Sequence, residues 1–266
     1  MSHSAGWAIH GARERRGRDG GWVGMGRMRY DEPAAVAFRA GRHVPADGLA
    51  HWRAAVARHL APRPGMALLD LGAGTGWWAQ LFTAWYGVQV VAVEPSAAMR
   101  ARARAPRLVA GRADALPLAA GSLDAAWLST VVHHLADLPA AAAELRRVLR
   151  PGAPVLLRSV FAGRADQITL LRFFPEAIRL VDDTYPQAAT VRAVFAADGF
   201  TAAAGEAVTQ VSAPSLAAVL DGLDRDAHTP LRLIDDDAYA AGLTRLRTAA
   251  TATGPVIDTM DLLVLR

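Results

Sequence analysis

Residues Leu68-Leu69-Asp70-Leu71-Gly72-Ala73-Gly74-Thr75-Gly76 place three leucines and one acid directly before a loop with glycine at every second position. An apolar helical pattern starts immediately after it, at Trp77. A buried parallel strand reads this way, followed by a tight turn that brings backbone close to a ligand. Without Cβ atoms the glycines let a flat group lie against the main chain. Asp70, at the strand end, can hold loop N–H groups or a cationic ligand atom. A glycine-rich turn alone is a weak signal, so the remaining strand ends have to supply the rest of a site.

The chain continues as alternating strands and helices. Strands are predicted over Met66 to Leu71, Val88 to Val93, Leu108 to Ala110, Leu123 to Leu128 and Val155 to Val160. Helices are predicted over Trp77 to Tyr86, from a Ser96 cap, and from Asp137 and Pro139 to the stop at Pro151-Gly152. Near-continuous apolar strands in this rhythm mean a mostly parallel α/β sheet covered on both faces. After Val160 the rhythm changes. Helices are expected over Ile168 to Val181, Thr190 to Ala197, Ser215 to Leu223 and Asp237 to Ala249, with strands at Val208 to Val211 and Val256 to Leu265. Before the first strand, Asp47 caps a helix running to Leu60. The chain thus divides into a leader (1–27), an N-terminal helical lid or outer layer (28–65), a binding core (66–160) and a segment that completes the sheet and adds a helical cap (161–266).

A pI of 10.2 suggests a nucleic-acid binder until the charge is located. Met1 to Arg29 carry six arginines against Glu14 and Asp19, while the other 23 arginines are matched by 23 acids. The basic character sits in a Gly/Arg-rich leader with no periodicity, read here as flexible or as an upstream extension before starts at Met25 or Met28. The neutral body argues against a broad phosphate-binding face. The absence of Cys excludes disulfides, thiolate metal sites and a Cys nucleophile. No run approaches ~20 apolar residues, so no membrane partner is expected, and a cytoplasmic location is the default.

Ligands of such sheets bind at the carboxyl ends of the strands. There, in order, stand Asp70 with the glycines, Glu94, the run Arg112-Ala113-Asp114-Ala115-Leu116-Pro117, and Ser129, Thr130, His133 and His134. A carboxylate at Glu94 can accept from a ribose diol, and Asp114 from an exocyclic amine. The spacing G-x-G-x-G is tighter than the G-x-G-x-x-G of dinucleotide enzymes and leaves less room for a pyrophosphate.

These motifs together resemble the class I S-adenosylmethionine-dependent methyltransferases, in the branch that includes ubiquinone-type and many small-molecule enzymes. The matching runs are Leu68 to Gly76, Val90 to Met99, Ala113 to Pro117 with Ser122-Leu123-Asp124, and Glu144 to Gly152. The resemblance covers about Met66 to Ser159. It implies a Rossmann-like sheet with an antiparallel last strand, S-adenosylmethionine as cofactor, and methyl transfer to a small molecule of specialised metabolism by a monomer or homodimer. It assigns cofactor contacts to Asp70, Gly72, Ala73, Gly74, Gly76, Glu94, Pro95, Asp114, Ala115 and Ser129. Glu94 would take the ribose, and Asp114 with the Ala115 N–H the adenine. A cyclase or isomerase that retains the cofactor is the alternative, and an RNA or protein methyltransferase a further one.

His133, His134 and Tyr30 are the catalytic candidates. A near-neutral His can take a proton from an O–H, N–H or acidic C–H nucleophile, although packing is the competing role for both histidines. Tyr30 would reach the cofactor from the lid, and Arg39, Arg42 and His43 are lid candidates for an acidic group. Trp77 and Trp78 read as core first and as an aromatic wall second. Phe161, Phe173 and Phe174 likewise read as helix core before pocket lining. Asp235-Asp236-Asp237 reads as a capped helix start and not as a metal cluster.

Overall fold

The computed structural model describes residue 44 and residues 47–266. Tyr30, Arg39, Arg42, His43 and the 1–27 leader lie outside the described residues. Seven strands form one sheet: β1 (Ala67–Leu71), β2 (Gln89–Glu94), β3 (Leu108–Ala110), β4 (Ala125–Ser129), β5 (Val155–Ser159), β6 (Ala202–Ala213) and β7 (Val256–Leu265). Their spatial order is β3-β2-β1-β4-β5-β7-β6. Strands β1 to β5 pair in parallel, and β7 runs antiparallel to both β5 and β6. The chain leaves β1 toward β2 and later returns to β4 on the other side of β1. The loops after β1 and β4 therefore diverge and open a crevice at this switch point.

All five residues of β1 are buried, which is why the strand reads as an apolar run and does not alternate with polar residues. Its side chains go alternately to two layers. Leu69 and Leu71 pack with α4 (Leu138–Val148) and α6 (Ala188–Ala197), through Leu138, Leu145, Val148, Val191 and Phe195. Leu68 packs with α1 (Ala50–Leu60) and α2 (Trp77–Tyr86), through Trp52, Val56, Leu60, Ala79 and Phe82. Asp70 shares the side of Leu68. On that side Trp127 of β4 meets the rings of Trp78 at 4.8 Å, Phe82 at 5.1 Å and Trp52 at 6.1 Å. The described part of the N-terminal segment, α1, is thus an outer layer packed on the sheet. Asp47 does not cap α1: it opens a 3-10 turn (Asp47–Leu49), and α1 starts after Leu49 with no side-chain cap, whereas two other expected caps form. The Ser96 hydroxyl accepts from Met99 N at the head of α3 (Ala97–Arg102), and Asp137 accepts from Ala140 N at the head of α4.

The predicted helix over Ile168 to Val181 is broken in two. Two short 3-10 turns (Ala165–Gln167 and Thr169–Phe173) precede α5 (Pro175–Thr184). Pro175 has no N–H to continue a helix, and it drives Phe174 out of the helical region, to φ −128° and ψ 73°. Strand β6 extends well beyond Val208–Val211, because its outer half is alanine and glycine at the sheet edge, residues that carry little strand signal. Helices α7 (Leu216–Asp221), α8 (Thr229–Leu233) and α9 (Asp236–Ala249) follow, of which α8 is not foreseen in the sequence. With α5 they enclose a core of their own, where Leu170, Phe174, Val181 and Tyr185 meet Leu231, Ile234 and Leu246. Phe174 and Phe161 are fully buried, as the core reading expects. Asp235 accepts from Ala238 N and caps α9.

Gly242 of α9 is the closest seam of this cap: a Cβ there would meet the Phe174 ring at 2.1 Å. Alanine would gain about 1 kcal/mol in helix propensity, but overpacking a buried ring costs about 1–3 kcal/mol. We expect Gly242→Ala to be destabilised in denaturant unfolding, with faster amide exchange confined to residues 165–185 and 216–246. Unchanged or increased stability would refute the tight seam.

Candidate active site

The glycine loop after β1 has left-handed backbone at Gly72, Gly74 and Gly76, with φ of 70°, 56° and 77°. At Gly72 the missing side chain is required twice over, because a Cβ would also lie 2.4 Å from Val131 Cγ2. Gly72 N and Ala73 N donate to Val93 O at 2.8 and 3.2 Å, tying the loop to β2. One residue on, Glu94 takes Gly74 N on Oε2 and Ser96 N on Oε1, each at 2.8 Å. Burial raises its carboxyl above the usual range, against the opposing pull of those N–H groups and of Arg100. Each oxygen accepts one backbone N–H and has a second lone pair for a ligand hydroxyl.

Asp70 is 1% exposed, and its Oδ2 is buried with no hydrogen-bond partner among the described residues. Burial pushes its carboxyl up to about 7. A hydrogen bond from the Ala79 backbone opposes this, and the charge of Glu94 adds to it. Asp70 lines a cavity of about 460 Å³ that runs from the glycine loop, past the ends of β4 and β5, to the underside of the cap. A buried acid with an unsatisfied oxygen, beside bare backbone, fits a ligand that brings a cation or a hydroxyl to that point. The residues present therefore fit the adenosyl sulfonium cofactor that the motifs imply.

Of the predicted site residues, Asp70, Gly72, Ala73, Ser129 and His133 line this cavity. The His133 ring stacks on Tyr185 of the cap at 3.9 Å and 12°. His134 lies behind it, with ring centroids 4.0 Å apart, and is not part of the cavity wall. Gly74, Gly76 and Glu94 lie outside the wall, along the loop and the end of β2. Gly76 caps α2, and Pro95 is exposed with its carbonyl taken by Arg100. The adenine expectation meets groups already engaged. Asp114 is held by Arg112 through two bonds of 2.9 and 2.7 Å, which lowers its pKa, and the Ala115 N–H donates to Arg112 O at 3.2 Å. Each Asp114 oxygen accepts one Arg112 N–H and keeps a second lone pair for an exocyclic amine, whereas the Ala115 N–H is already donated within the turn. Trp77 and Trp78 serve both readings: each borders the cavity and packs against the layer of α1 and α2.

Sequence reasoning passed over a polar strip on the cavity floor. Arg158 of β5, Gln210 and Ser212 of β6 and Asp258 of β7 all line it. Arg158 Nη1 donates to Ser129 Oγ at 3.1 Å and Nη2 to Gln210 Oε1 at 2.7 Å. Gln210 Nε2 donates to Ser212 Oγ at 3.1 Å, and that hydroxyl donates to Asp258 Oδ2 at 2.5 Å. The signal was present in the sequence: an arginine inside the apolar run Val155 to Ser159, and polar residues opposite one another at Gln210 and Asp258.

Residues 69–157 match the family model described as a methyltransferase domain. The matched segment runs from β1 through the glycine loop into β5, where the chain is similar to a methyltransferase domain. Over 143 residues the chain is 32% identical to the malonyl-[acyl-carrier protein] O-methyltransferase of Serratia marcescens, covering 52% of this chain and 51% of that one. Over 110 residues it is 38% identical to the demethylmenaquinone methyltransferase of Beutenbergia cavernae, covering 40% and 45%. The chain spans about half the length of the curated relatives it matches. In fold it resembles an Anabaena variabilis protein ascribed to methyl transfer in an antibiotic biosynthesis pathway, with a TM-score of 0.68 at 20% identity, covering 85% of this chain and 99% of that one. No helix among the described residues is long and apolar enough to cross a membrane.

The raised pKa of Asp70 makes the fold favour its neutral form. Its stabilising contribution is complete below the unfolded value of about 4 and is lost as pH rises through about 7. Asp70→Asn, neutral throughout, is expected to match the wild type in Tm near pH 4 and to exceed it increasingly between pH 5 and 8. Parallel Tm-versus-pH curves would show that Asp70 does not titrate in this range.

Proposed function

We propose that the chain is an S-adenosylmethionine-dependent methyltransferase acting on a small molecule, in a biosynthetic route of the specialised kind. The observation that carries this reading is Asp70, a buried acid with an unsatisfied oxygen where the glycine loop meets a largely apolar cavity. The relatives' names support it: one acts on a malonyl group carried by a protein, another on a quinone precursor. The neutral charge of the body gives a nucleic-acid substrate no extended phosphate-binding face.

Bound S-adenosylmethionine supplies a methyl group on a sulfonium sulfur, which an acceptor lone pair takes by in-line displacement. The protein contributes alignment and exclusion of water. Glycine-loop backbone and Asp70 hold the methionyl end, and Glu94 accepts from the ribose hydroxyls. Gly74 N and Ser96 N fix the Glu94 carboxylate before any ligand arrives, so little ordering remains to be done on binding. The cap closes the acceptor end with Leu170, Leu171, Val181 and Tyr185. His133, on the cavity wall and held flat against Tyr185, is the candidate to take a proton from an O–H or N–H acceptor.

Calorimetry with S-adenosylhomocysteine tests the cofactor. Hydrogen bonds to a charged group contribute about 1.5–3 kcal/mol, so Glu94→Ala should weaken binding by about 10- to 100-fold. Absence of binding, or binding that Glu94→Ala leaves intact, would refute the reading. Product mass then separates it from a cofactor-retaining cyclase: transfer adds one CH₂, and rearrangement leaves the mass unchanged.

A further inference from the structure

We propose that Arg158 selects the acceptor, and that the acceptor class is an acid: a molecule with an apolar body and a carboxylate that the guanidinium holds. This rests on the methyltransferase reading above. Arg158 is 7% exposed and stands in a strand whose other residues are all buried. A guanidinium placed there loses most of its hydration, a cost that a folded chain offsets only with well-built surroundings. Ser129 and Gln210 hold two of its nitrogens, and its carbon lies 4.9 Å from the Trp52 ring and 5.3 Å from the Trp78 ring. Indole faces stabilise a cation and also keep the planar fork in one orientation.

The strip on the cavity floor fixes that orientation further. Asp258 accepts from Thr169 N at 2.8 Å and from the Ser212 hydroxyl. Ser212 in turn accepts from the Gln210 amide, which determines which end of that amide faces Arg158. The guanidinium is thereby aimed by a directional chain that begins at an acid three side chains away. Preorganisation of this kind is what bidentate recognition of a carboxylate requires.

Position separates this cation from the ribose-binding candidate Glu94, while Ser129 links it to the near edge of the cofactor contacts. Glu94 lies on β2, on one side of β1, whereas Arg158 pairs with Ser129 of β4, on the other side. Two strand spacings, roughly 10 Å, separate β1 from β5. Arg158 therefore stands at the acceptor end of the cavity, where Leu49, Val160, Ile168 and Met260 supply apolar wall. Arginine stays protonated at every working pH, so its own charge is constant across the titrations that test it.

The probes are straight-chain carboxylates from hexanoate to dodecanoate and their primary amides, titrated calorimetrically into the full chain saturated with S-adenosylhomocysteine. At pH 7.5 the wild type is expected to bind its best carboxylate at least tenfold more tightly than the matching amide. Arg158→Gln should reduce that ratio to about one while S-adenosylhomocysteine affinity is kept, and Arg158→Lys should keep part of it. Equal affinity for acid and amide in the wild type, binding of no carboxylate in the series, or a ratio that survives in Arg158→Gln would each overturn the proposal. Should Arg158→Gln also lose S-adenosylhomocysteine, the wild-type ratio alone decides. If the wild type binds no S-adenosylhomocysteine, the methyltransferase reading fails separately, and the same acid-to-amide ratio is measured on the free protein.

Discussion

Asp70 occupies the last-but-one position of a strand with no solvent-facing side, and the geometry of the site depends on how that burial is resolved. A strand buried on both faces can end in a polar group only where the chain opens into a crevice. The parallel order of β2, β1 and β4 supplies that opening directly above Asp70. The carboxyl is left with an oxygen that no group among the described residues satisfies. The glycine loop above it cannot move in to help, because Gly72 is already wedged against Val131 and bonded to Val93. The unsatisfied atom and the bare backbone are consequences of one packing arrangement.

A second consequence appears on β2. Glu94 is buried as deeply as many leucines, yet its two oxygens are met by Gly74 N and Ser96 N. The neighbouring acids are therefore treated differently by their surroundings. Glu94 is held in place by donors from two loops, and Asp70 is held by burial alone on its cavity side. The stability that Asp70 forgoes at neutral pH is the kind of local cost that binding sites retain.

Much of this was legible in the sequence. The glycine spacing, the Glu94 position and the Ser96 and Asp137 caps depend on short-range chemistry that a run of ten residues contains in full. The antiparallel last strand followed from the resemblance. What escaped detection depends on long-range contact. Pro175 broke a helix whose apolar period continued across it. The alanines of β6 acquire strand structure only by pairing with β7. The floor strip of Arg158, Gln210, Ser212 and Asp258 unites residues up to a hundred positions apart: the arginine in an apolar run marks one member, and only strand pairing brings the others to it. At the Asp114 turn the motif gives the residue types, while the pairing of Asp114 with Arg112, two positions earlier, is seen only in the folded chain.

The cap has a core of its own, closed by Phe174 against Gly242 and by Leu231 and Leu246, apart from the two cores that flank the sheet. Substitutions well separated in space add nearly independently. A change in the cap's inner wall is therefore paid out of the cap's stability and hardly touches Leu68, Trp127 or the glycine loop. Such a chain is free to drift in what it accepts while its cofactor end stays under constant constraint. Evolutionary novelty in this architecture should accumulate in residues 165–185 and 216–246, with the sheet acting as an inherited chassis.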